Sequence, residues 1–443
     1  MSLEMLSVST LAKMLKTKQT TSVEIVKRFL KIIEEKEPTI NAWAFLDPDY
    51  ALYQARQADL LINDGKYIGI FHGIPVGIKD IVDTYDMPTE NGSIVHKGRQ
   101  PASDATIVAL LRAAGAVIMG KTVTSEFAYY EPGKTRNPHN PAHTPGGSSS
   151  GSAAAVAANM IPVAVGTQTN GSVIRPAAFC GVIGFKPTHG LISRTGIFHQ
   201  SDILDQVGVF ANNLEDAALL AEELIAFDMA DKGMRPIAKP HLSFASNAGK
   251  EIAFFAPKLA FVRSPVWDTL GENEMKTKFT NYIKTIGQYC EEIILPEPFE
   301  NAHKNHQIIM ETDFALSYAD LYKNFGTNLS KTLNNTIERG SNTPAITYNS
   351  AVKNIDVLIN ELNVIFNKYD AIITPATSGE APRDLSSTGS PAFCTIWTLC
   401  GVPAITLPLL KCSSNLPLGV QVIGKRGEDS KLFSIASWLL NCQ

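Results

Sequence analysis

Three short segments carry residue types that could together transfer an acyl group. They are Lys79 at the end of Gly73-Ile74-Pro75-Val76-Gly77-Ile78-Lys79, the loop Gly146-Gly147-Ser148-Ser149-Ser150-Gly151-Ser152, and Thr167-Gln168-Thr169-Asn170-Gly171-Ser172. A seryl hydroxyl is a poor nucleophile at neutral pH and needs a base, and a lysine can be that base only when burial keeps it neutral. Lowering a lysine pKa from ~10.4 to about 7 corresponds to roughly 4 to 5 kcal/mol of disfavoured charge. Ile74, Val76 and Ile78 offer apolar surroundings of that kind. Asp80 would oppose the shift if it faced the same side, but neighbours in a strand point to opposite faces, so Asp80 reads as structural. Taken singly, each segment has a blander reading. Glycine-serine loops are commonly linkers or phosphate cradles, and buried lysines are commonly ion-paired. The phosphate cradle is disfavoured because GxxxxGK[ST] is absent and the glycine loop holds no lysine.

The elements around these segments follow from their patterns. Thr21 and Glu24 form a capping box, and Val26, Phe29, Leu30 and Ile33 share one helical face that ends at Pro38. Gly73 to Lys79 reads as a strand meeting a constrained turn. A helix through Ile107, Leu110, Leu111 and Ala114 leads past Gly115 into a buried strand at Ala116 to Gly120, an αβ unit. The polar run Pro132 to Gly151 has the length of a functional loop. Ser152 then caps an alanine-rich helix from Ala153 to Ala158, before a buried strand at Pro162 to Gly166. Further on, the pattern predicts a helix at Leu214 to Leu224, a strand at Leu259 to Val262, a helix at Glu274 to Tyr289 and a strand at Ile293 to Leu295. Three strands follow at Ala371 to Ile373, Pro403 to Leu407 and Leu418 to Val422, then a helix through Leu432, Ile435, Ala436 and Leu439.

With these elements in place, Gly146 to Asn159 followed by Gly166 to Gly190 (GTQTNGSVIRPAAFCGVIGFKPTHG) resembles the signature region of the amidase signature family. The likeness extends upstream through Gly73 to Thr84 and downstream through Thr374 to Pro382 and Phe393 to Pro408; between Ala211 and Tyr369 it holds by position only. The resemblance implies an α/β fold with a single large mixed β-sheet covered by helices on both faces. It also implies a catalytic triad of Ser172, Ser148 and Lys79, with a cis peptide before Ser148. In that scheme Ser148 relays the proton from Ser172 toward Lys79 and later to the leaving amine, and an acyl-enzyme forms. Backbone N–H groups of Thr169, Asn170, Gly171 and Ser172 would make the oxyanion hole.

The wording departs from the commoner TDxGGSIR, because Asn170 replaces a usual glycine. If that position needs a positive φ, asparagine is among the least costly substitutes, and its side chain would narrow or polarise the pocket. Arg175 resembles the arginine of small-substrate, malonamidase-like amidases that meets an acidic group on the substrate; the alternative is a buried pair with Asp205 or another carboxylate. Thr167 either hydrogen-bonds the relay serine or simply ends a strand. Cys180 and Trp397 read as core, with Trp397 also a candidate pocket wall.

Composition bounds the rest. The 443 residues are 44% hydrophobic and carry a formal net charge of −4, with no basic face to follow a phosphate backbone, so nucleic acid is not expected as a partner. Met1 to Ser9 hold Glu4 and no Lys or Arg, unlike a signal peptide, and the most apolar stretch, Ala153 to Gly166, is too short to cross a membrane. Six scattered cysteines without CxxC fit a reduced cytoplasm and predict neither zinc nor disulfides. His303 and His306, three apart on a helix, lack a third ligand and read as structural.

One compact domain is expected. It comprises an N-terminal helical segment (1–70), the signature core (71–210), a variable helix-rich covering region (211–368) and C-terminal strands and helix completing the sheet (369–443). The leading reading is an amidohydrolase, without metal or organic cofactor, for a small amide or ureido substrate bearing a carboxylate, with a homodimer as a family-level expectation. The alternatives are the amidase subunit of a glutamine-dependent, tRNA-type amidotransferase, against which Gln168-Thr169-Asn170 argues, and a non-catalytic binding protein on the same fold.

Overall fold

Adjacent residues of a strand point to opposite faces, and here they enter different cores. In the strand Leu259–Val262, Leu259 and Phe261 join one hydrophobic cluster while Ala260 and Val262 join a second; in Ala371–Pro375, Ala371 and Ile373 part from Ile372 in the same way. The first cluster is closed by helices that include Leu214–Leu224 and Asp429–Asn441, the second by Ala302–Ser317, Lys331–Ser341, Ala345–Phe366 and Ala392–Leu399. A computed structural model describes residues 2–248 and 256–442. Among them, eleven strands form one sheet. These are β1 (Trp43–Leu46), β2 (Pro75–Lys79), β3 (Val117–Thr122), β4 (Val163–Gln168), β5 (Ile183–Lys186), β6 (Gln206–Ala211), β7 (Leu259–Val262), β8 (Cys290–Ile293), β9 (Ala371–Pro375), β10 (Ala404–Lys411) and β11 (Pro417–Ile423). The order is β1-β3-β2-β4-β6-β5-β10-β11-β9-β7-β8. β2 runs parallel to β3 and β4, whereas β6 is antiparallel to β4 and β5, so the sheet is mixed and helices cover both faces.

Several local expectations shift. The helix capped by Thr21 and Glu24 runs through Pro38 to Ile40, because a proline in the last turn forfeits a single hydrogen bond; Asn41 closes it in the left-handed conformation, its N–H donating to Glu37 O. The alanine-rich helix is Ser150–Ala157, so Ser152 lies inside it rather than capping it, and its hydroxyl instead donates to Val165 O of β4. The strand expected at Ile293 to Leu295 is displaced to Cys290–Ile293, where Glu291 and Glu292 are exposed beside β7 at the sheet's end. Residues 211–368 therefore contribute two strands at one end of the sheet, β7 and the edge strand β8, as well as a helical cover. No helix among the described residues is long and apolar enough to cross a membrane.

Candidate active site

Lys79 is the last residue of β2, and the chain turns just beyond it. The side chain is buried, and its Nζ lies 2.7 Å from Ser148 Oγ and 2.8 Å from Thr167 Oγ1. Burial holds its pKa well below the ordinary 10.5, against a smaller opposing influence from the Asp205 carboxylate. Asp80 points the other way, as strand alternation requires, and pairs with the buried Lys121 at 3.3 Å. Thr167 therefore contacts the lysine and not Ser148. When the amine is neutral it can give one N–H to Thr167 and turn its lone pair to the Ser148 hydroxyl.

The loop bearing Ser148 is tied to β4 one residue later. Ser149 Oγ donates to Thr167 O at 3.1 Å and accepts from Thr167 N at 3.2 Å. The Gly147–Ser148 peptide is cis. Gly151 brings the following helix against the sheet, since a Cβ there would lie 2.2 Å from Ala42 O. Arg175, wholly buried, donates from Nη2 to Gly147 O at 2.6 Å and to Thr388 Oγ1 at 3.2 Å, and from Nη1 to Gly389 O at 2.7 Å. No carboxylate among the described residues pairs with it, and its Nε is buried without a partner. The alternative of a buried pair with Asp205 or another carboxylate is not formed among the described residues; the Asp205 carboxylate instead accepts from the Thr169 hydroxyl and the N–H groups of Gln200 and Ser201.

Between β4 and the helix Ile174–Cys180, residues 169–172 form the turn that carries Ser172. Ser172 is 8% exposed and its hydroxyl makes no hydrogen bond to another described residue, so the Ser148–Ser172 contact of a relay is not closed in this state. A peptide plane fixes its N–H opposite its carbonyl, and the carbonyls of this turn are held one after another. His306 Nε2 donates to Thr169 O at 3.0 Å, Thr398 Oγ1 donates to Asn170 O, and Arg175 N donates to Gly171 O at 2.9 Å. These bonds turn the N–H groups of Asn170, Gly171 and Ser172 the other way, and they have no partner among the described residues. Gln168 ends the free run: its Oε1 accepts from Val173 N and Ile174 N, while its Nε2 donates to Thr398 Oγ1 at 2.8 Å. An aspartate there could not make that last donation.

Asn170 does not take a positive φ, so no backbone need explains it. Its side chain instead spans a gap, donating to Tyr130 Oη at 3.1 Å and accepting from Thr395 Oγ1 at 2.8 Å. Gln168, Thr398 and His306 were not singled out as site residues in the sequence. The two histidines read as structural are both engaged near the turn: His303 Nε2 bonds Ala392 O, and His306, its pKa lowered to about 4 by burial, is a neutral donor to Thr169. Cys180 and Trp397 are buried in the core, as expected.

His306→Leu would release the Thr169 carbonyl and with it the aim of the Asn170 N–H. If that N–H is an oxyanion donor, the expected result is a fall of about tenfold in kcat with a smaller change in KM, because one loosened donor costs less than a deleted one. His306→Gln, which keeps a donor, should recover part of the loss; equal, small effects of both variants on kcat would refute this role.

A large mixed sheet that sets the Ser148 loop against a buried lysine, with a second serine-bearing turn leaving β4, is an architecture of the α/β class. The chain belongs to the Amidase family, whose model matches residues 24–433, and it is an amide-hydrolysing enzyme. It is 31% identical to a glutamyl-tRNA(Gln) amidotransferase subunit of Staphylococcus carnosus, over 98% of this chain and 97% of that one. It is also 31% identical to a Mycobacterium bovis protein carrying the name amidase AmiD, over 96% and 92%. The native peptide amidase from Stenotrophomonas maltophilia superposes with a TM-score of 0.87 at 26% identity, covering 99% of this chain and 96% of that one.

Proposed function

We propose that the chain is a free-standing amidohydrolase in which Ser172 attacks the amide carbonyl, Ser148 relays its proton and Lys79 receives it. The carrying observation is the buried Lys79 amine, kept from charging by its surroundings and 2.7 Å from Ser148 Oγ. The proton of Ser172 passes to Ser148 as the Ser148 proton passes to Lys79. The tetrahedral oxyanion is met by the unpartnered N–H groups of the 169–172 turn. Collapse returns the proton through Ser148 to the leaving nitrogen, and water then releases the acyl group by the same route. Open catalytic contacts are common before substrate binds, and arrival of the carbonyl is what would draw Ser172 onto Ser148.

The substrate is read as a small amide or ureido compound bearing a carboxylate. Support comes from Arg175, a buried cation three residues after the nucleophile, without a carboxylate partner among the described residues and with an unbonded Nε. Leaving such a charge uncompensated is unfavourable, and a substrate carboxylate would relieve it. The test compares succinamate with butyramide. In Arg175→Ala, kcat/KM for succinamate should fall about 100-fold more than for butyramide, as expected for loss of a charge-assisted bond. Equal losses accompanied by a lower Tm would leave Arg175 as only the holder of Gly147 and Gly389.

A second reading, the amidase component of a glutamine-dependent amidotransferase, is favoured by the 29–31% identity to such proteins across nearly the whole chain. Against it stand Gln168 and Asn170, which build the nucleophile turn differently. Glutaminase activity that appears only with partner proteins would overturn the free-standing reading. The six unpaired cysteines accord with a reducing cytoplasm.

A further inference from the structure

A cavity of about 480 Å³ lies beside the nucleophile turn. Its walls come from three places: Tyr130, the helix Ala302–Ser317 with His306 and Glu311, and the helix Lys331–Ser341 with Arg339. Thr395 closes another side. The volume suits a small organic group, yet none of Lys79, Ser148 and Ser172 lines it. The single residue of the 169–172 turn that does is Asn170. Its carboxamide is held at both ends, by Tyr130 Oη and Thr395 Oγ1, both of which line the cavity with it, and so forms a strut between them.

We propose that Asn170 is the residue that sets substrate size, its carboxamide partitioning this cavity from Ser172. This rests on the reading of Ser172 as nucleophile. With the strut in place the enzyme works on small amides; without it, the cavity becomes an annex open to the nucleophile and admits a larger substituent. The chemistry of the annex is that of a neutral group. Glu311 is neutralised by Arg339 at 2.7 Å, and His306 is already spent as a donor to the turn. What remains includes tyrosine rings, threonine hydroxyls, the carboxamides of Gln307 and Asn335 and the Met310 side chain, which suit an aromatic or polar uncharged substituent. Because Asn170 has an ordinary φ, an alanine or glycine there removes the strut without asking the backbone to change.

The test uses the full-length enzyme with two series of amides, one enlarging the acyl group from propionyl to 3-phenylpropionyl, the other enlarging the amine from ammonia to benzylamine. In Asn170→Gly the ratio of kcat/KM for the larger over the smaller member should rise at least tenfold in one series, with Asn170→Ala intermediate. Tyr130→Phe and Thr395→Val, which cut one tether each, should move the same ratio in the same direction. Ratios within twofold of wild type in both series overturn the proposal. The same amides are titrated calorimetrically into Ser172→Ala with and without Asn170→Gly, which reads size selection without turnover. Unchanged relative affinities there overturn the partition whether or not the wild type hydrolyses. Absence of hydrolysis in wild type, with relative affinities that do shift, sinks the hydrolase reading and leaves the partition standing.

Discussion

Lys79→Met is expected to abolish turnover and at the same time to make the folded protein more stable at neutral pH. The loss in kcat/KM should be on the order of 10⁴-fold, the upper range for a proton acceptor whose partners stay in place. The gain in stability has a separate cause. Burial holds the folded pKa of Lys79 well below 10.5, so between that depressed value and 10.5 the unfolded chain binds one proton more than the folded one. Stability then rises with pH across this window, by up to ~1.36 kcal/mol per unit, and the burial penalty is largest at its acid end. Methionine fills a similar volume and carries no such penalty, and the Ser148 and Thr167 hydroxyls that lose the amine as a partner offset only part of the gain. Urea denaturation of wild type and variant from pH 6 to 10 checks this: the slope should be shallower in the variant, where the buried Lys121 and Lys186, lowered by burial to about 8 and about 7, still contribute. The wild-type kcat/KM should likewise climb as pH rises through the depressed pKa and level off above it. A wild-type acid limb near 10.5 would show a charged lysine and remove it as the base.

Ser172→Ala should lose on the order of 10⁵-fold in kcat and all labelling by a fluorophosphonate, with stability changed by less than about 0.5 kcal/mol. The contrast between the two readouts is the point of the experiment. The hydroxyl makes no hydrogen bond to another described residue, so its removal leaves no orphaned partner, and the turn keeps the bonds from His306, Thr398 and Gln168. Ser148→Ala is different, since it takes a partner from the buried Lys79 amine. Labelling or turnover that survives in Ser172→Ala would assign the nucleophile to another residue.

The segments that carry Lys79, Ser148 and Ser172 were legible because each chemical residue sits on a locally patterned stretch. An apolar strand ends at Lys79, and glycine and serine mark the two turns. What the sequence hid is everything that acts across it. His306 reaches Thr169 from 137 residues away and Thr398 reaches Asn170 from 228, and no local pattern announces either bond. The motif's Gln168 looked like a deviation; its reason appears only once Thr398 is placed beside it. Arg175 was legible as important but not in its partners, because three of its acceptors are backbone carbonyls or a hydroxyl from distant loops, and a carboxylate was the obvious guess. In the fold, β1 escaped notice as a four-residue strand between two helices, and β8 was displaced because its two exposed glutamates mask a strand whose neighbour lies on one side only. For Asn170 the sequence offered both a backbone reading and a side chain that narrows or polarises the pocket; the backbone takes no positive φ, and what the sequence hid is the side chain's two partners, Tyr130 and Thr395.

The strand order also bears on how the chain is made. β9, β10 and β11 are late in sequence, yet they lie between β5 and β7 in the sheet. A chain emerging from the ribosome therefore presents β5 and β7 as two uncovered edges until residues 371–423 arrive to bridge them, with Thr398 among the residues that come with them. Catalytic competence is accordingly a late event of synthesis, and a stalled or truncated chain combines an unassembled 169–172 turn with two adhesive strand edges. Aggregation rather than partial activity is the fate to expect of such fragments.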